Sequence, residues 1–467
     1  MILVFTVMKF IYINTIPLWM DEGLTFYYVS ADTLTGLFAR IFQYEKNPVF
    51  FYILTWGLVK VFNSTGVWVL RLSPFIFSIL SPVFLFKLYK QKFNDERGAV
   101  IASTFLFISQ FFTLMTCDAR GYSQAVFFII LGSYYYFMLL KKEKMSFLVF
   151  CLSWIIALKT HFFSGLILAV IFLHYLVFNR KENTIDFATG FSLIFISLIP
   201  EFVELSIILK VKEMQPGWPS LSALAETFFA MMTGFTLEFP SMIVWYVILT
   251  ASVVFVLLPI LRIREKMPAR VLVLAIFYTY IILMFVIPLV FKMRFFSVRH
   301  MVLILPFYAV LLSLSLQSIN VRAIKLILIF LIVVINFLST RNIIVKEEYH
   351  RNDFRIPARL LRENIRQGDA VVLINGYLEY LLEYYYPGVN DYEFLPIRKP
   401  QVETFNIRQL EDNPRVWFII SHPSMADPRN VVAGKILEKY KPVKFHEVKK
   451  KNSDFSIKTT LLKRKNN

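Results

Sequence analysis

From Ile324 to Leu338 the chain reads IKLILIFLIVVINFL, one of several long apolar stretches that recur along it. Stretches approaching the ~20 residues that cross a bilayer as helix restrict what such a chain can become. Inside hydrocarbon every backbone donor and acceptor must be satisfied internally, which leaves helices or closed barrels. A barrel would need short segments of alternating polarity, and the stretches here are continuous. With 57% hydrophobic residues and a mean hydropathy of +0.59, the fold class is an α-helical multi-spanning membrane protein.

The charge balance has to be read beside that lipid surface. A formal net charge of +18 is spread over loops and a tail, so anionic headgroups and lipid phosphates explain it more cheaply than nucleic acid does. Only Cys117 and Cys151 are present, expected in different spans near opposite faces, and they supply neither a disulfide framework nor a thiolate metal site. The first apolar stretch lacks a small-residue cleavage pattern and reads as an uncleaved span. It is short at its start, so a few residues are expected before Met1.

The apolar pattern predicts about eleven spans, near 2–18, 67–89, 99–116, 123–140, 147–158, 162–178, 187–209, 241–261, 271–291, 301–316 and 324–338. One set of connecting loops is short and basic: KLYKQKFNDERG from Lys87, KKEK from Lys141, NRK from Asn179, RIREKMPAR from Arg262 and VRAIK from Val321. The positive-inside rule places these in the cytoplasm. The alternate set then faces outward. It comprises the stretch PLWMDEG at 17–23, the segment 25–66, CDARGYS from Cys117, KTHF from Lys159, the loop 210–240 and KMRFFSVRH from Lys292.

An odd number of spans puts the tail outside as well. There the pattern changes to that of a soluble domain: RIPARLLRENIRQGDAVVLIN from Arg355 reads as amphipathic helix, glycine stop and strand, and RVWFIISH from Arg415 reads as a second buried strand. The expected domains are a transmembrane catalytic domain over 1–340 and a small extracytoplasmic α/β domain over 341–467. No internal repeat is evident, and no broken midplane helices are expected.

Ionisable residues of both signs collect at the outer ends of the spans: Asp21 and Glu22, Glu45 and Lys46, Asp118 and Arg120, Lys159 and His161, Arg294, Arg299 and His300. Charge at membrane depth costs several kcal/mol unless paired or hydrated, so the recurrence points to a shared polar cavity. Each residue alone has a plainer reading. Asp21 and Glu22 suit the first turn of the helix that follows them. Lys46 suits an interfacial anchor, Arg71 a structural pairing, and His161 a local hydrogen bond. A cavity holding carboxylates and cations beside lipid could take a proton from an acceptor hydroxyl and hold a departing phosphate. That is the chemistry of transfer from a lipid-linked phosphate.

Six segments in order, PLWMDEGLTFYY, YEKNPVFFYILTWGLVKVF, GVWVLRLSPFIFSIL, CDARGYSQAVFF, KTHFFSGLILAV and SVRHMVLILPFYAVLL, resemble the GT-C-fold membrane glycosyltransferases of family 39. The chain is similar to the protein O-mannosyltransferases and the bacterial lipid A aminoarabinose transferases over about its first 340 residues. Its tail resembles the extracytoplasmic domain of many bacterial members. The resemblance implies Asp21 as catalytic base with Glu22 beside it, and Asp118 and Arg120 as the acidic residue and arginine of a later outer loop. It implies Lys46, Arg120, His161 and Arg299 at the donor phosphate, and Glu45 near a divalent metal ion. The chain departs from the family pattern at Lys46-Asn47-Pro48, where many members carry His-Pro-Pro, and at His300, where a tyrosine is usual. The outer loop 210–240 offers no histidine to complete a metal site, which leaves oxygen ligands from Glu45 and Asp118.

The expectation is therefore an inverting transferase that moves one sugar from a polyprenyl-phosphate donor to an extracytoplasmic lipid, glycan or protein. The resemblance implies the bacterial cytoplasmic membrane, with the site and the tail on its outer side. A transporter or flippase of lipid-linked glycans would also want a basic cavity, but it would be built from repeated halves and broken helices. A non-catalytic scaffold would leave the outer acids and bases without a role.

Overall fold

The structure, a computed structural model, describes residues 1–44, 49–199, 218–237, 242–262, 268–292, 296–422, 427–451 and 456–465. It divides into two compact units. One comprises 1–13, 41–57 and 71–342; the other comprises 14–40, 58–70 and 343–467.

The first unit is helical. It draws on α1 (Ile2–Thr15), α3 (Leu34–Tyr44), α4 (Phe50–Phe62), α5 (Val67–Phe93), α6 (Glu96–Ile108), α7 (Gln110–Thr116), α8 (Tyr122–Leu140), α9 (Ser146–Thr160), α10 (Ser164–His174), α11 (Thr184–Ser197), α12 (Leu221–Thr233), α13 (Met242–Leu257), α14 (Pro268–Phe291), α15 (Leu305–Gln317) and α16 (Arg322–Val345); α2 (Met20–Val29) belongs to the second unit. A helix lies at each of the eleven predicted places, though residues 200–209 of the seventh lie outside the described residues. By length and composition five described helical stretches can cross a membrane, or seven if each of two bent pairs is one span, and the others are shorter apolar helices.

The bent pairs correct the sequence expectation in two places. The span expected to run to Leu18 stops at Thr15, and the chain turns by 73° into α2. The span expected over 99–116 breaks at Ser109, where α6 and α7 meet at 54°. Ser109 caps α7 by accepting the Phe112 N–H at 3.2 Å, and the Gln110 N–H donates to Asn336 Oδ1 at 3.0 Å. Broken helices are thus present after all, and at the Ser109 break the Gln110 and Phe112 N–H groups each meet a side chain.

The 3₁₀ stretch Val298–Ile304 and α15 form the interior of this unit, with 83% of their apolar window buried against 22% for α16. Ser313 and Tyr308 tie α15 to its neighbours through the Gly98 carbonyl at 2.7 Å and Ser252 at 2.7 Å. Ile324, Leu326, Ile327, Phe330 and Leu331 remain exposed along α16, a stripe whose natural solvent is lipid.

The second unit contains a five-stranded sheet in the order β2-β1-β3-β5-β4, built from β1 (Asp369–Ile374), β2 (Glu393–Ile397), β3 (Arg415–Ser421), β4 (Tyr440–Val448) and β5 (Ile457–Arg464). β1 pairs parallel with β2 and β3; β5 runs antiparallel to β3 and β4. Every residue of β1 is buried, as the apolar run AVVLI that follows Asp369 requires of a strand covered on both faces. Helices α17 (Arg355–Asn364), α18 (Glu379–Tyr385) and α19 (Val431–Lys439) accompany the sheet. Gly368, at φ +84, makes the turn between α17 and β1 that the sequence predicted. Asp369, almost fully buried, is held by Arg415 at 2.6 and 2.8 Å and by the Trp417 indole at 3.1 Å. The small C-terminal α/β domain expected from the tail is present.

Candidate functional site

In the helical unit several helices end close together, and their ends bring the predicted charges into one cluster. Asp118 and Arg120 lie in the five-residue link between α7 and α8, closed by the Arg120 N–H donating to the Asp118 carbonyl at 2.7 Å. The Asp118 carboxylate is only 4% exposed, and it accepts the Tyr12 hydroxyl of α1 at 2.8 Å. A buried carboxylate without such a partner would be strongly disfavoured. Arg120 donates to the Tyr52 hydroxyl of α4 at 2.9 Å.

His161 follows the end of α9. Its ring packs against Tyr122, Phe163 and His300, with centroids 5.3, 5.5 and 5.5 Å away. Burial, and then the charges of Arg120 and Arg299, push its pKa down to about 3, so the imidazole is neutral at physiological pH. Nδ1 accepts the Phe163 N–H at 3.4 Å, which leaves the proton on Nε2. His161 is therefore a hydrogen-bond donor without charge, between two guanidinium groups that carry it. His300 Nδ1 has no hydrogen-bond partner among the described residues, while its carbonyl accepts the Tyr280 hydroxyl at 3.0 Å. Asp118, Arg120, His161 and Arg299 were all expected at such a site; Tyr12 and Tyr52 were not, because a tyrosine in an apolar run reads equally well as packing.

Arg71 takes the structural role expected of it. Fully buried, it reaches the Ile13 carbonyl at 3.5 Å and lies 5.8 Å from the Tyr12 ring centroid. Lys9 is a further buried cation that sequence reasoning passed over. Its ammonium sits 5.4 and 5.1 Å from the centroids of Phe107 and Phe112, beside Cys117, with no hydrogen bond among the described residues. The signal was one lysine in the otherwise uncharged stretch ILVFTVMKFIYINT. Both cysteines are buried free thiols.

Asp21 and Glu22 occupy the first turn of α2 in the second unit. Glu22 is fully buried and accepts the Trp19 N–H at 3.3 Å, which makes it the cap of its own helix. Asp21 is half-buried, and its carbonyl accepts the Thr25 hydroxyl at 3.3 Å. Glu45, Lys46 and Arg294 lie outside the described residues, as does most of the loop 210–240. Among the described residues no three His, Cys, Asp or Glu side chains gather closely enough to hold a metal ion.

Residues 45–206 match the family of dolichyl-phosphate-mannose-protein mannosyltransferases. ArnT from Cupriavidus metallidurans in the apo state superposes with a TM-score of 0.59 at 12% identity, covering 97% of this chain and 96% of that one. The chain has the GT-C fold. The GT-C likeness extends to ArnT from the same organism bound to undecaprenyl phosphate, with a TM-score of 0.57 at 12% identity over 98% of this chain and 96% of that one. It also extends to the apo oligosaccharyltransferase of Archaeoglobus fulgidus, with 0.53 at 11% identity over 93% of this chain and 70% of that one. No curated protein matches in sequence. A GT-C fold with these apolar helices makes the chain an integral membrane protein.

Proposed function

We propose that this GT-C protein moves one monosaccharide from a polyprenyl-phosphate donor to a hydroxyl of an extracytoplasmic lipid, glycan or protein. The observation that supports this most is the grouping of Arg120, Arg299 and neutral His161 beside the Asp118–Tyr12 pair, where several apolar helices end. Two guanidinium groups and an uncharged N–H suit a phosphate, which accepts charge-assisted bonds in several directions. Aromatic and apolar walls suit the prenyl chain. The undecaprenyl phosphate bound to ArnT, a protein of the same fold, favours the same ligand class.

In the reaction the acceptor oxygen attacks the anomeric carbon from the face opposite the phosphate, and the bond from that carbon to the phosphate oxygen breaks. Its electron pair leaves with the lipid phosphate, and the configuration inverts. The hydroxyl proton passes to a carboxylate, which we assign to Asp21 from the family resemblance, with Glu22 in support through the cap it forms. Asp118 is assigned to the acidic position of its loop, keeping Tyr12 in place. Lys46 is assigned to the donor phosphate and Glu45 to a divalent metal by the same resemblance.

Arg299→Ala tests the donor reading. Hydrogen bonds to charged groups are worth about 1.5–3 kcal/mol, so the donor KM should rise by roughly 10- to 150-fold in assays with a radiolabelled polyprenyl-phosphate sugar. Unchanged KM and turnover would leave Arg299 an interfacial anchor and remove the donor site assigned here.

A further inference from the structure

We infer that the C-terminal domain takes part in the transfer by holding the Asp21 helix in position, and that Gly23 and Tyr385 are the residues through which it does so. The inference rests on the assignment of Asp21 as base. It comes from how closely α2 and α18 are joined within the second unit.

Three observations on one face of α2 carry it. A Cβ added at Gly23 would lie 3.1–3.2 Å from the Leu381 N, Cα and Cβ, tighter than ordinary contact, so a side chain there would push the two helices apart slightly. Tyr27 stacks on Tyr380 with centroids 4.0 Å apart and planes 23° from parallel, and Phe26 meets Tyr384 edge-on at 5.0 Å. Positions 23, 26 and 27 are neighbours on a helix surface, which makes this a continuous contact stripe.

The approach to α2 is fixed from the same domain. At the bend where the chain leaves α1, the Leu18 N–H donates to the Tyr385 hydroxyl at 2.7 Å. Next to it, the Arg351 guanidinium lies 4.2 Å from the Trp19 ring centroid, and the Arg355 guanidinium reaches the Thr15 carbonyl at 3.4 Å. The Glu22 carboxylate then closes the first turn on the Trp19 N–H. Asp21 is thus bracketed. Residues 18 and 19 before it and Gly23 after it are all tied down, while Asp21 itself lies about 200° round the helix from Gly23. The gripped face and the face that presents the carboxylate are different faces.

That division is what a positioning device needs. A general base works only within hydrogen-bond reach of the proton it takes, and a displacement near 1 Å can cost on the order of 100-fold in rate. Gly23→Ala shifts α2 against Leu381 by a few tenths of an ångström without touching the carboxylate; Tyr385→Phe removes one hydroxyl and leaves the ring.

The experiment uses the full chain in detergent or nanodiscs and measures kcat, donor KM and thermal stability for Gly23→Ala, Tyr385→Phe, Tyr380→Phe and Asp21→Asn. Gly23→Ala should lower kcat by roughly 3- to 10-fold with the donor KM within about twofold. Tyr385→Phe should lower kcat by a smaller factor, and Tyr380→Phe, which keeps the stack, should remain at the parental rate. In the Asp21→Asn background Gly23→Ala should add little further loss, because both act through one group. Parental kcat in both Gly23→Ala and Tyr385→Phe, with Asp21→Asn impaired, would overturn the positioning role and leave Asp21 as base. Loss that follows unfolding or a raised donor KM instead would make the contact merely structural. Asp21→Asn at the parental rate would remove the base, and this inference with it.

Discussion

The neutrality of His161 has a signature in the pH dependence of folding. Its pKa is about 3 in the fold against an ordinary 6.5. As pH falls below 6.5 the unfolded chain takes up a proton that the folded ring refuses, so the proton-linked stability is complete above 6.5 and is lost progressively toward 3. Melting temperatures in detergent should therefore fall between pH 7.5 and 5 more steeply for the parent than for His161→Gln; equal slopes would show that the ring is not held neutral by its surroundings. At this scale the sequence was legible wherever charge stood against an apolar background. Asp118 and Arg120 are conspicuous because acids and bases at membrane depth demand partners. The partners were not legible. Tyr12 and Tyr52 carry no charge, and which tyrosine reaches a given carboxylate is decided by helix packing rather than by neighbours in the chain. Glu22 meets the plainer expectation of a first-turn carboxylate through its bond to the Trp19 N–H.

Elements follow the apolar pattern closely in place and less closely in shape. Hydrophobicity marks where a helix lies and says nothing about a bend, so the breaks at 16–19 and at Ser109 left no trace that apolar runs could show. The Ser109 break depends on distant side chains. Gln110 N–H meets Asn336, Gln110 Oε1 accepts the Phe235 N–H at 3.0 Å, and Asn336 Nδ2 reaches the Met232 carbonyl at 3.0 Å. Gly234, at φ +78, completes the arrangement, because a Cβ there would lie 1.7 Å from Gln110 Oε1. Asn336→Leu keeps the volume and strands the Gln110 donor, so unfolding followed by circular dichroism should show a loss of about 2 kcal/mol. Gly234→Ala should destabilise too, through strain and overlap together. No change in the Asn336 variant would mean that another group satisfies the break. In the tail, β1 and β3 were readable as buried apolar runs. β4 was not, because its surface alternates little and Lys441, Val443, Lys444 and Phe445 are all exposed.

At the scale of the whole molecule, the fold class was legible because the bilayer imposes it, while the grouping of 14–40 and 58–70 with 343–467 joins segments hundreds of residues apart and has no local mark. From the basic loops we propose that the C-terminal domain lies outside. In a background lacking Cys117 and Cys151, a membrane-impermeant maleimide applied outside should label a cysteine in place of Glu438 and spare one in place of Lys142; labelling of both would overturn the alternation of loops, and labelling of the Lys142 position alone would reverse the orientation. Lys9 adds a constraint of a different kind, on the order in which the protein is made. A lysine at the centre of a membrane helix costs about 2.5–3.5 kcal/mol on insertion, and the rings that receive it here, Phe107 and Phe112, are synthesised some hundred residues later. The first helix should therefore emerge from the translocation machinery unsettled and enter the bilayer only after α6 and α7 exist. In stalled nascent chains, Ile11→Cys should react with an aqueous maleimide when synthesis stops at Lys92 and be protected when it reaches Arg180, by which point α6 and α7 have left the ribosome, whereas adding Lys9→Leu should give protection at both lengths. Early protection with Lys9 in place would mean that the cation finds a temporary partner during synthesis and exchanges it for the aromatic pair afterwards.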